Sequence, residues 1–355
     1  MKPMLFPLPL VPFEEYMLTD DRPAYPMNIF ARLHFAGHLD RATLETAFRD
    51  SVARHPLFCA LVRQTGKNRF EWIDGSHVPH QFHWIDASAE AAAPCVPPID
   101  LRREPGLRLW TVNDCQGSRV LVQAHHACCD GIGAFGWLVD LFRAHAALVG
   151  TAKGRKGARA PDFELLRTRG SSGLTRRETL RILGRYVRLV PSVFRTVRHK
   201  PLALVPTPPT IDAPGPAKEY PASYTQSITA AEFAALKAAA IGRHVGLDEL
   251  LARDLFLAVA EWQSRHAPGA CEGWRRIWVP MNLRTMAHRW LPATNMIGTV
   301  FFDRHQDHVA DPQRLLESLH REMQLIRARR IDHMLLFSMR MVKALTGSVL
   351  SLIHI

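Results

Sequence analysis

The chain has 355 residues, of which 47% are hydrophobic and 22% charged, and this composition excludes a disordered, collagen-like or disulfide-scaffold protein. No segment is apolar over the about 18 residues that a membrane span needs, and the opening MKPMLFPLPLVPF lacks the cleavage pattern of a secretory signal, so a cytoplasmic location is expected. The formal net charge of +12 comes almost wholly from residues 151–200, which hold 14 Lys and Arg against 3 Asp and Glu. The rest is nearly neutral, so nucleic acid is not an expected partner.

The first predicted elements are a strand and a helix joined by a short turn. Apolar residues alternate with others over 28–37, which predicts a strand. Asp40 then precedes an amphipathic stretch and is expected to cap a helix. The apolar face of that helix is expected to carry Leu44, Ala47, Phe48 and Val52.

A β-hairpin and a second helix are predicted around the most informative residues of the chain. Strands are expected over 107–113 and 119–126, because 114–118 between them has turn chemistry. A helix is expected over 131–150, ending at Gly150, with an apolar face of Phe135, Leu138, Val139 and Phe142.

The middle of the chain is predicted to hold one basic helix between two loops. Residues 151–173 and 201–221 are rich in Gly, Pro, Ser and charge, which is typical of loops. Between them, apolar residues with helical spacing predict an amphipathic helix within 174–200, kinked at Pro191. This helix is either a solvated surface helix or a site for anionic lipid, coenzyme A phosphates or an acidic carrier protein.

A second αβ block is predicted after residue 220. A strand over 221–228, a capping box from Thr229 to Glu232 and a helix over 247–262 begin it. Strands over 275–284 and 295–303 and a helix over 311–330 follow. Five tryptophans are expected in the core rather than in a site: Trp72, Trp110, Trp137, Trp262 and Trp278.

The cysteines predict neither a metal site nor a disulfide framework. The chain has six of them, and none stands in a CxxC pair, so free thiols are expected.

The stretch AHHACCDG (124–131) contains the candidate catalytic residues. Side chains alternate across a strand, so His125 and His126 face opposite sides of it, and only one of them can face a given cavity. A histidine with a pKa near neutrality can take a proton from a hydroxyl or an amine, as acyl transfer from a thioester requires.

This HHxxxDG sequence resembles the chloramphenicol-acetyltransferase-like superfamily, which includes nonribosomal peptide condensation domains, wax ester synthases and polyketide-associated acyltransferases. Further segments carry the resemblance: RHPL (54–57), VPMNLR (279–284) and NMIG (295–298). In order and spacing these motifs cover most of the chain. The resemblance implies an α/β fold, a two-layer α+β sandwich of two acetyltransferase-like subdomains, with an active-site tunnel between them.

The resemblance also implies roles for particular residues. His126 would be the general base, and Asp130 would be structural, paired with Arg284. A buried carboxylate needs such a partner, and a two-point contact with arginine would fix the loop that presents His126. His125 would help to orient the loop and Gly131 would line the channel. Further channel-lining candidates are Cys128, Cys129, Asn282 and Asn295.

The implied domain boundaries are residues 1–150 for the first subdomain, 151–220 for the basic helix and linkers, and 221–355 for the second subdomain. The late Asp-Phe-Gly-Trp-Gly loop of the superfamily is absent, and LDE (247–249) stands where wax ester synthases carry Asn-Asp. The final LSLIHI (350–355) matches a translated sequencing-transposon adapter. We therefore expect the second subdomain to be incomplete.

The expected function is transfer of an acyl group from a coenzyme A or carrier-protein thioester to a small-molecule alcohol or amine. No bound cofactor and no metal are expected, because the thioester is a co-substrate. Two alternatives stay open: a condensation domain that forms amide bonds between carrier-bound substrates, and a catalytically silent member that serves as a binding module. Peripheral contact of the basic helix with an anionic membrane is a further hypothesis.

Other interpretations of the same residues stay open. The histidine pair could satisfy buried polar groups only. The spacing of His125 and Asp130 also occurs in glycerol-phosphate acyltransferases, but that would leave 279–284 and 295–298 unexplained. Cys128 and Cys129 could be nucleophiles, although small residues in the core or the channel wall are favoured.

Overall fold

The structure is a computed structural model, and it describes residues 5–22, 26–88, 96–150, 160–171, 177–181, 184, 198–204, 226–333, 338–339 and 343. It contains two sets of strands and helices that follow one another along the chain.

The first half is built from two sheets and three helices. One sheet has the order β1-β4-β3 and the other the order β2-β7-β6-β5. The strands are β1 (Leu8–Pro9), β2 (Asn28–Phe35), β3 (Ala60–Gly66), β4 (Arg69–Asp74), β5 (Gln81–Asp86), β6 (Leu107–Asp114) and β7 (Gly117–His125). The helices are α1 (Pro12–Thr19), α2 (Arg41–Val52) and α3 (Gly131–Leu148).

The predicted hairpin is confirmed, and one glycine explains its tight turn. Strands β6 and β7 pair in antiparallel register, with Asp114 opposite Gly117. Gly117 has a φ of +118°, and a Cβ there would lie 2.2 Å from the carbonyl oxygen of Phe35. Only glycine fits this turn, because the backbone of β2 passes directly beside it. The cap of α2 is also as expected, since the Asp40 carboxylate accepts from the Thr43 N–H.

The predicted face of α3 is confirmed only in part, because Leu138 and Phe142 pack against the core of the first half whereas Phe135 does not. Phe135 is 68% exposed, whereas Gly133, Trp137 and Leu141 are buried. Apolar residues surround this helix on nearly every side, so their spacing alone does not show which stripe packs. The buried stripe of α3 is set by the packing of Trp137, because its indole N–H donates to the hydroxyl of Ser51 on α2.

The second half has a β-hairpin and long helices. The two predicted strands are present as β8 (Trp274–Asn282) and β9 (Ile297–His305), and they pair antiparallel. After a short α4 (Leu165–Thr168) in the connection, the helices are α5 (Ala230–Gly242), α6 (Leu247–His266), α7 (Gln306–Val309) and α8 (Pro312–Arg329). The predicted capping box is present, since Thr229 Oγ1 accepts from the Glu232 N–H and the Glu232 carboxylate accepts from the Thr229 N–H.

The two largest hydrophobic clusters among the described residues lie one in each half. The larger one is formed mainly by residues before position 170 and also takes in Ala293. The smaller one packs Phe256 of α6 against Val300 and Phe302 of β9 and the apolar face of α8. The segment between β8 and β9 thus leaves the second half and packs on the core of the first.

Several expectations on the connections need correction. The loop predicted over 151–173 contains α4 and a buried anchor, because the Arg169 guanidinium contacts the buried Glu14 carboxylate at 2.7 Å. Within the strand predicted over 221–228, residues 226–228 are not extended in a sheet, and 221–225 lie outside the described residues. Most of the basic helix predicted within 174–200, and the terminal 350–355, also lie outside them. In the described part of the chain, no helix is long and apolar enough to cross a membrane.

Candidate active site

The candidate base sits on the loop that joins β7 to α3. The His126 N–H donates to the Met27 carbonyl oxygen at 2.8 Å, and the His125 N–H donates to the Gly106 carbonyl oxygen at 2.9 Å. These backbone contacts continue the strand pairing for one residue beyond β7. The chain then turns, and the Cys128 N–H donates to the His125 carbonyl oxygen.

His126 is partly buried and stands beside an aromatic side chain. Its ring meets the ring of Phe13 edge to face, with centroids 6.3 Å apart. Burial lowers the pKa of His126 below the ordinary histidine value of 6.5, and attraction to Asp130 offsets this only in part. Nδ1 of His126 is buried and has no hydrogen-bond partner within the residues that the structure describes. The imidazole is therefore neutral at pH 7 and able to accept a proton.

The Asp130 carboxylate ties the end of the loop to the start of α3 and to the second half. Its Oδ1 accepts from the Gly133 N–H at 2.8 Å and thereby caps α3. Arg284 donates to both oxygens, at 2.8 Å to Oδ2 and 2.9 Å to Oδ1. The Met296 N–H also donates to Oδ2 at 2.8 Å. The expected pair of Asp130 and Arg284 is thus present, and each oxygen of the carboxylate accepts two hydrogen bonds.

A second segment, residues 293–296, clamps the same loop from the second half. Asn295 is buried, and its Nδ2 donates to the His126 carbonyl oxygen at 2.8 Å and to the Ala127 carbonyl oxygen at 2.9 Å. The Thr294 carbonyl oxygen accepts from Arg284 at 2.8 Å. Asn295 therefore holds the backbone of the candidate base, whereas the sequence indicated a channel-lining side chain.

His55 anchors the start of this clamp. It is buried, and its Nδ1 accepts from the Ala293 N–H at 2.8 Å. Its Nε2 lies 3.4 Å from an Asp140 carboxylate oxygen. Because Nδ1 accepts, the proton of the neutral ring belongs on Nε2, facing Asp140. His55 thus joins the core of the first half to a segment of the second.

His125 points into the core and not toward the candidate base. It is 1% exposed, its Nδ1 accepts from the Ala127 N–H at 3.1 Å, and its Nε2 lies 3.5 Å from Asp21 Oδ2. Burial would raise the pKa of Asp21, but its contacts with His125 and the Met27 N–H outweigh this and lower it. These contacts fit the expected role in orienting the loop.

The channel-lining candidates separate into different environments. Cys128 and Cys129 are fully buried in the core, and burial raises the pKa of both thiols well above the ordinary value, so they neither line a channel nor act as thiolates. Asn282 is exposed at the end of β8, where its Oδ1 accepts from the Arg284 N–H at 3.0 Å. Gly131 faces open space, since a Cβ there would meet nothing within 4 Å.

Sequence reasoning missed Gly133, His55, Asp21 and Phe13. A Cβ on Gly133 would lie 3.1 Å from the Thr294 carbonyl oxygen, which is tighter than an ordinary contact. Gly133 could have been found from the sequence, because it stands three residues after Asp130, where the N–H contacted by a helix-capping residue is expected. His55 stands in the RHPL motif, whereas nothing in the sequence marks Asp21 or Phe13 as a neighbour of the loop.

A cavity of about 620 Å³ opens on the Arg284 side of the loop, beside the start of α3. Its lining residues include Ile132, Gly136, Arg284, Met286, His288 and Arg289. Burial, and then repulsion from Arg284, lower the pKa of His288. In the described ranges, no three His, Cys, Asp or Glu side chains are arranged to hold a metal ion.

Comparison with curated proteins finds a partial relative. No protein-family model matches the chain. An uncharacterized protein of Mycobacterium tuberculosis strain H37Rv is 28% identical over 150 residues, which are 39% of this chain and 33% of that protein. A protein of strain CDC 1551 matches with the same figures. The match thus spans about a third of the length of the curated relatives.

Comparison with solved structures finds the fold. The epimerization domain from the third module of tyrocidine synthetase B superposes with a TM-score of 0.65 at 12% identity, over 90% of this chain and 71% of that one. The first condensation domain of the calcium-dependent antibiotic synthetase, with a substrate analogue, gives 0.65 at 17%, over 92% and 75%. The SgcC5 protein of Streptomyces globisporus gives 0.65 at 14%, over 93% and 75%. The expected acetyltransferase-like fold, as found in condensation domains, is confirmed.

Proposed function

We propose that the chain is the catalytic part of a condensation-type acyltransferase, which joins an acyl group held as a carrier-protein thioester to an amine or alcohol, with His126 as the general base. One observation carries this: a neutral, partly buried histidine lies on a loop that Arg284 and Asn295 fix from the other half of a condensation-type fold. Such rigid placement is what a base must have in order to meet its substrate.

The proposed reaction proceeds by direct transfer. His126 takes the proton of the acceptor amine or hydroxyl as the nucleophile attacks the thioester carbonyl carbon. The carbonyl oxygen becomes an oxyanion in the tetrahedral intermediate. When the intermediate collapses, the carbon–sulfur bond breaks and the proton passes from His126 to the leaving thiolate. The products are the amide or ester and a free thiol.

The other ionisable groups of the site support His126 without replacing it. Both oxygens of Asp130 are occupied by Arg284 and by backbone N–H groups. His125 uses Nδ1 for the Ala127 N–H and directs Nε2 toward Asp21. We therefore assign both residues to the support of the loop, because their acceptor atoms already accept hydrogen bonds from other groups of the protein.

The solved neighbours favour a carrier-bound donor over free acyl-coenzyme A. Two of them are named as domains of peptide-antibiotic synthetases, whereas none of the three reported above is named as a coenzyme A enzyme. The SgcC5 structure holds an aryl ethanediol, which is an alcohol. An alcohol acceptor therefore stays within the proposal beside an amine. On the resemblance to condensation domains we also propose that the chain divides into a first subdomain (1–150), a connecting segment (151–220) and a second subdomain (221–355).

The test compares two donors that carry the same acyl group. A short acyl chain is loaded on a phosphopantetheinylated carrier protein and, separately, on coenzyme A, and free thiol is measured after addition of an amine or an alcohol. We expect release from the carrier that disappears in His126→Ala. Release from coenzyme A alone would support a free acyl-coenzyme A enzyme instead. Release from neither donor would overturn the catalytic assignment in favour of a binding module.

A further inference from the structure

A series of aromatic side chains, of which Phe13 and Tyr16 are buried, leads from the candidate base across the junction of the two halves. Phe13 contacts His126, and Tyr16, three residues later on the same face of α1, contacts Phe13 with ring centroids 6.1 Å apart. Tyr16 then meets Trp278 of β8 at 6.2 Å, and Trp278 meets Phe301 of β9 at 5.9 Å. The rings thus form one connected series from the first half to the second.

Trp278 differs from the buried tryptophans of the first half. It is 40% exposed, although it was expected in the core, whereas Trp72 and Trp137 are fully buried. Its strand neighbours Ile277 and Val279 pack into the core of the second half. Since side chains alternate along a strand, Trp278 stands on the opposite face and presents part of a large apolar ring to solvent.

A buried hydroxyl lies on the same face of the hairpin. Thr299 is 4% exposed, and its Oγ1 has no hydrogen-bond partner among the residues described. It stands opposite Pro280, and on this face that pair is the next one toward the His126 loop after Trp278 and Phe301. A buried hydroxyl without a partner costs free energy, so a polar group that reached it would be bound favourably.

The register of the hairpin gives the distance between the Trp278–Phe301 pair and the residues that hold the His126 loop. The pair of Asn282 and Ile297 stands beside Arg284 and Asn295, which hold the loop, and the pair of Trp278 and Phe301 comes four residues further on. Four residues of strand cover about 13 Å. The hydroxyl of Thr299 belongs to the pair midway between them.

We propose that Trp278, Tyr16 and Phe301 form a subsite for an aromatic group of the substrate, and that Thr299 binds a polar atom of the spacer between this group and the reacting end. The inference rests on the proposed function, since it places the reacting end at His126. An aromatic ring lies favourably against exposed tryptophan, by stacking or edge to face, whereas a saturated ring gains the apolar contact alone.

The test measures binding without turnover, in the His126→Ala protein. One probe pair has the amine as the reacting end: N-(phenylacetyl)-1,4-diaminobutane and its cyclohexylacetyl analogue. A second pair has the thioester as the reacting end and the same amide in its spacer: the N-acetylcysteamine thioesters of 5-(phenylacetylamino)pentanoic acid and of its cyclohexylacetyl analogue. In the pair that uses the subsite, we expect the aryl member to bind roughly threefold to tenfold more tightly by calorimetry. A preference for the aryl member of the amine pair would show that the acceptor carries the aromatic ring, and a preference in the thioester pair would show that the acyl donor carries it.

Variants then assign the preference to the subsite. Trp278→Leu should make the dissociation constants of the aryl and saturated probes nearly equal, whereas Trp278→Phe should keep most of the difference. Thr299→Val should weaken both members of the pair by the same factor. As a matched control, Trp262→Leu on α6 should change neither value.

Equal binding of aryl and saturated probes in both arms, or a preference that Trp278→Leu leaves unchanged, would overturn the subsite. These outcomes are separate from failure of the proposed function. A missing aryl preference leaves thiol release intact, and a missing thiol release leaves the binding preference intact.

Discussion

Arg284 donates two hydrogen bonds to Asp130, at 2.8 Å and 2.9 Å, although 154 residues of chain separate them. The Asp130 side chain is almost fully buried, and that of Arg284 is 15% exposed. The pair therefore joins the start of α3 in the first half to the end of β8 in the second. Because the loop that carries His126 lies directly before Asp130, the position of the candidate base depends on this contact.

Removing one partner of this pair should destabilise the protein strongly. Asp130→Asn keeps an oxygen that can cap α3 but loses the charge that Arg284 needs, and Arg284→Leu leaves the Asp130 carboxylate buried without its cation. We expect each change to lower the free energy of unfolding by about 3–5 kcal/mol in urea denaturation. As a control, Glu45→Gln breaks an exposed pair with Arg49 and should cost at most about 1 kcal/mol. Equal costs at the two sites would contradict the assignment.

Asn295→Asp tests the clamp on the backbone of His126. The carboxylate has nearly the shape of the amide, but it places an oxygen against the carbonyl oxygens of His126 and Ala127, where the Nδ2 group now donates. We expect the free energy of unfolding to fall by about 1–3 kcal/mol and thiol release to fall with it. The matched change Asn282→Asp keeps an acceptor for the Arg284 N–H and should affect neither. Full activity in Asn295→Asp would refute the clamp.

His55 should act as a positioning residue through Ala293. In His55→Asn the amide Oδ1 is bonded to Cγ as Nδ1 is, so it can still accept from the Ala293 N–H, whereas His55→Leu leaves that N–H without its partner. We expect the turnover rate for thiol release to drop in the leucine variant and to recover largely in the asparagine variant, with KM little changed. If both variants lose activity equally, the acceptor is not what matters at this position.

Acid should destabilise the fold before the carboxylates titrate. Burial lowers the pKa of four histidines below the ordinary value of 6.5: His80, His83, His126 and His288. Below about pH 6.5 the histidines of the unfolded chain bind protons, whereas these histidines stay largely unprotonated in the folded chain. The free energy of unfolding therefore falls as the pH falls. Melting temperatures between pH 7.5 and 5 should therefore decrease, less steeply in His80→Gln than in the exposed control His34→Gln. A constant melting temperature over this range would be inconsistent with these shifts.

Part of the strands and helices could be predicted from the sequence, because their signals are local, whereas α1 and the strands β1, β3, β4 and β5 were not predicted. Asp40 marked the start of α2, alternating residues marked β2, and turn residues marked the hairpin of β6 and β7. The resemblance implied the pair of Asp130 and Arg284, which lie far apart in the chain and together in the fold. The face of α3 was predictable only in part: Leu138 and Phe142 pack on the core, but apolar residues surround that helix and only its tertiary packing selects the stripe of Trp137.

The environment of His126 could be predicted only in part. Asn295 was singled out as a channel residue, but its contacts are with backbone carbonyl oxygens, which no residue type reveals. The same holds for His55, whose partner is the Ala293 N–H. Trp278 was expected in the core because tryptophan is usually buried, and its exposure follows from which face of β8 meets the junction.

The pH dependence of thiol release in the wild type and in His126→Ala tests the central claim most directly. A neutral base with a lowered pKa predicts that release in the wild type falls toward acid with a midpoint below pH 6.5, the ordinary histidine value. It predicts a loss of about a hundredfold or more in the alanine variant, without that acid limb and with an unchanged melting temperature near neutral pH. Release near the wild-type rate in His126→Ala, or an acid limb that persists there, would contradict the account.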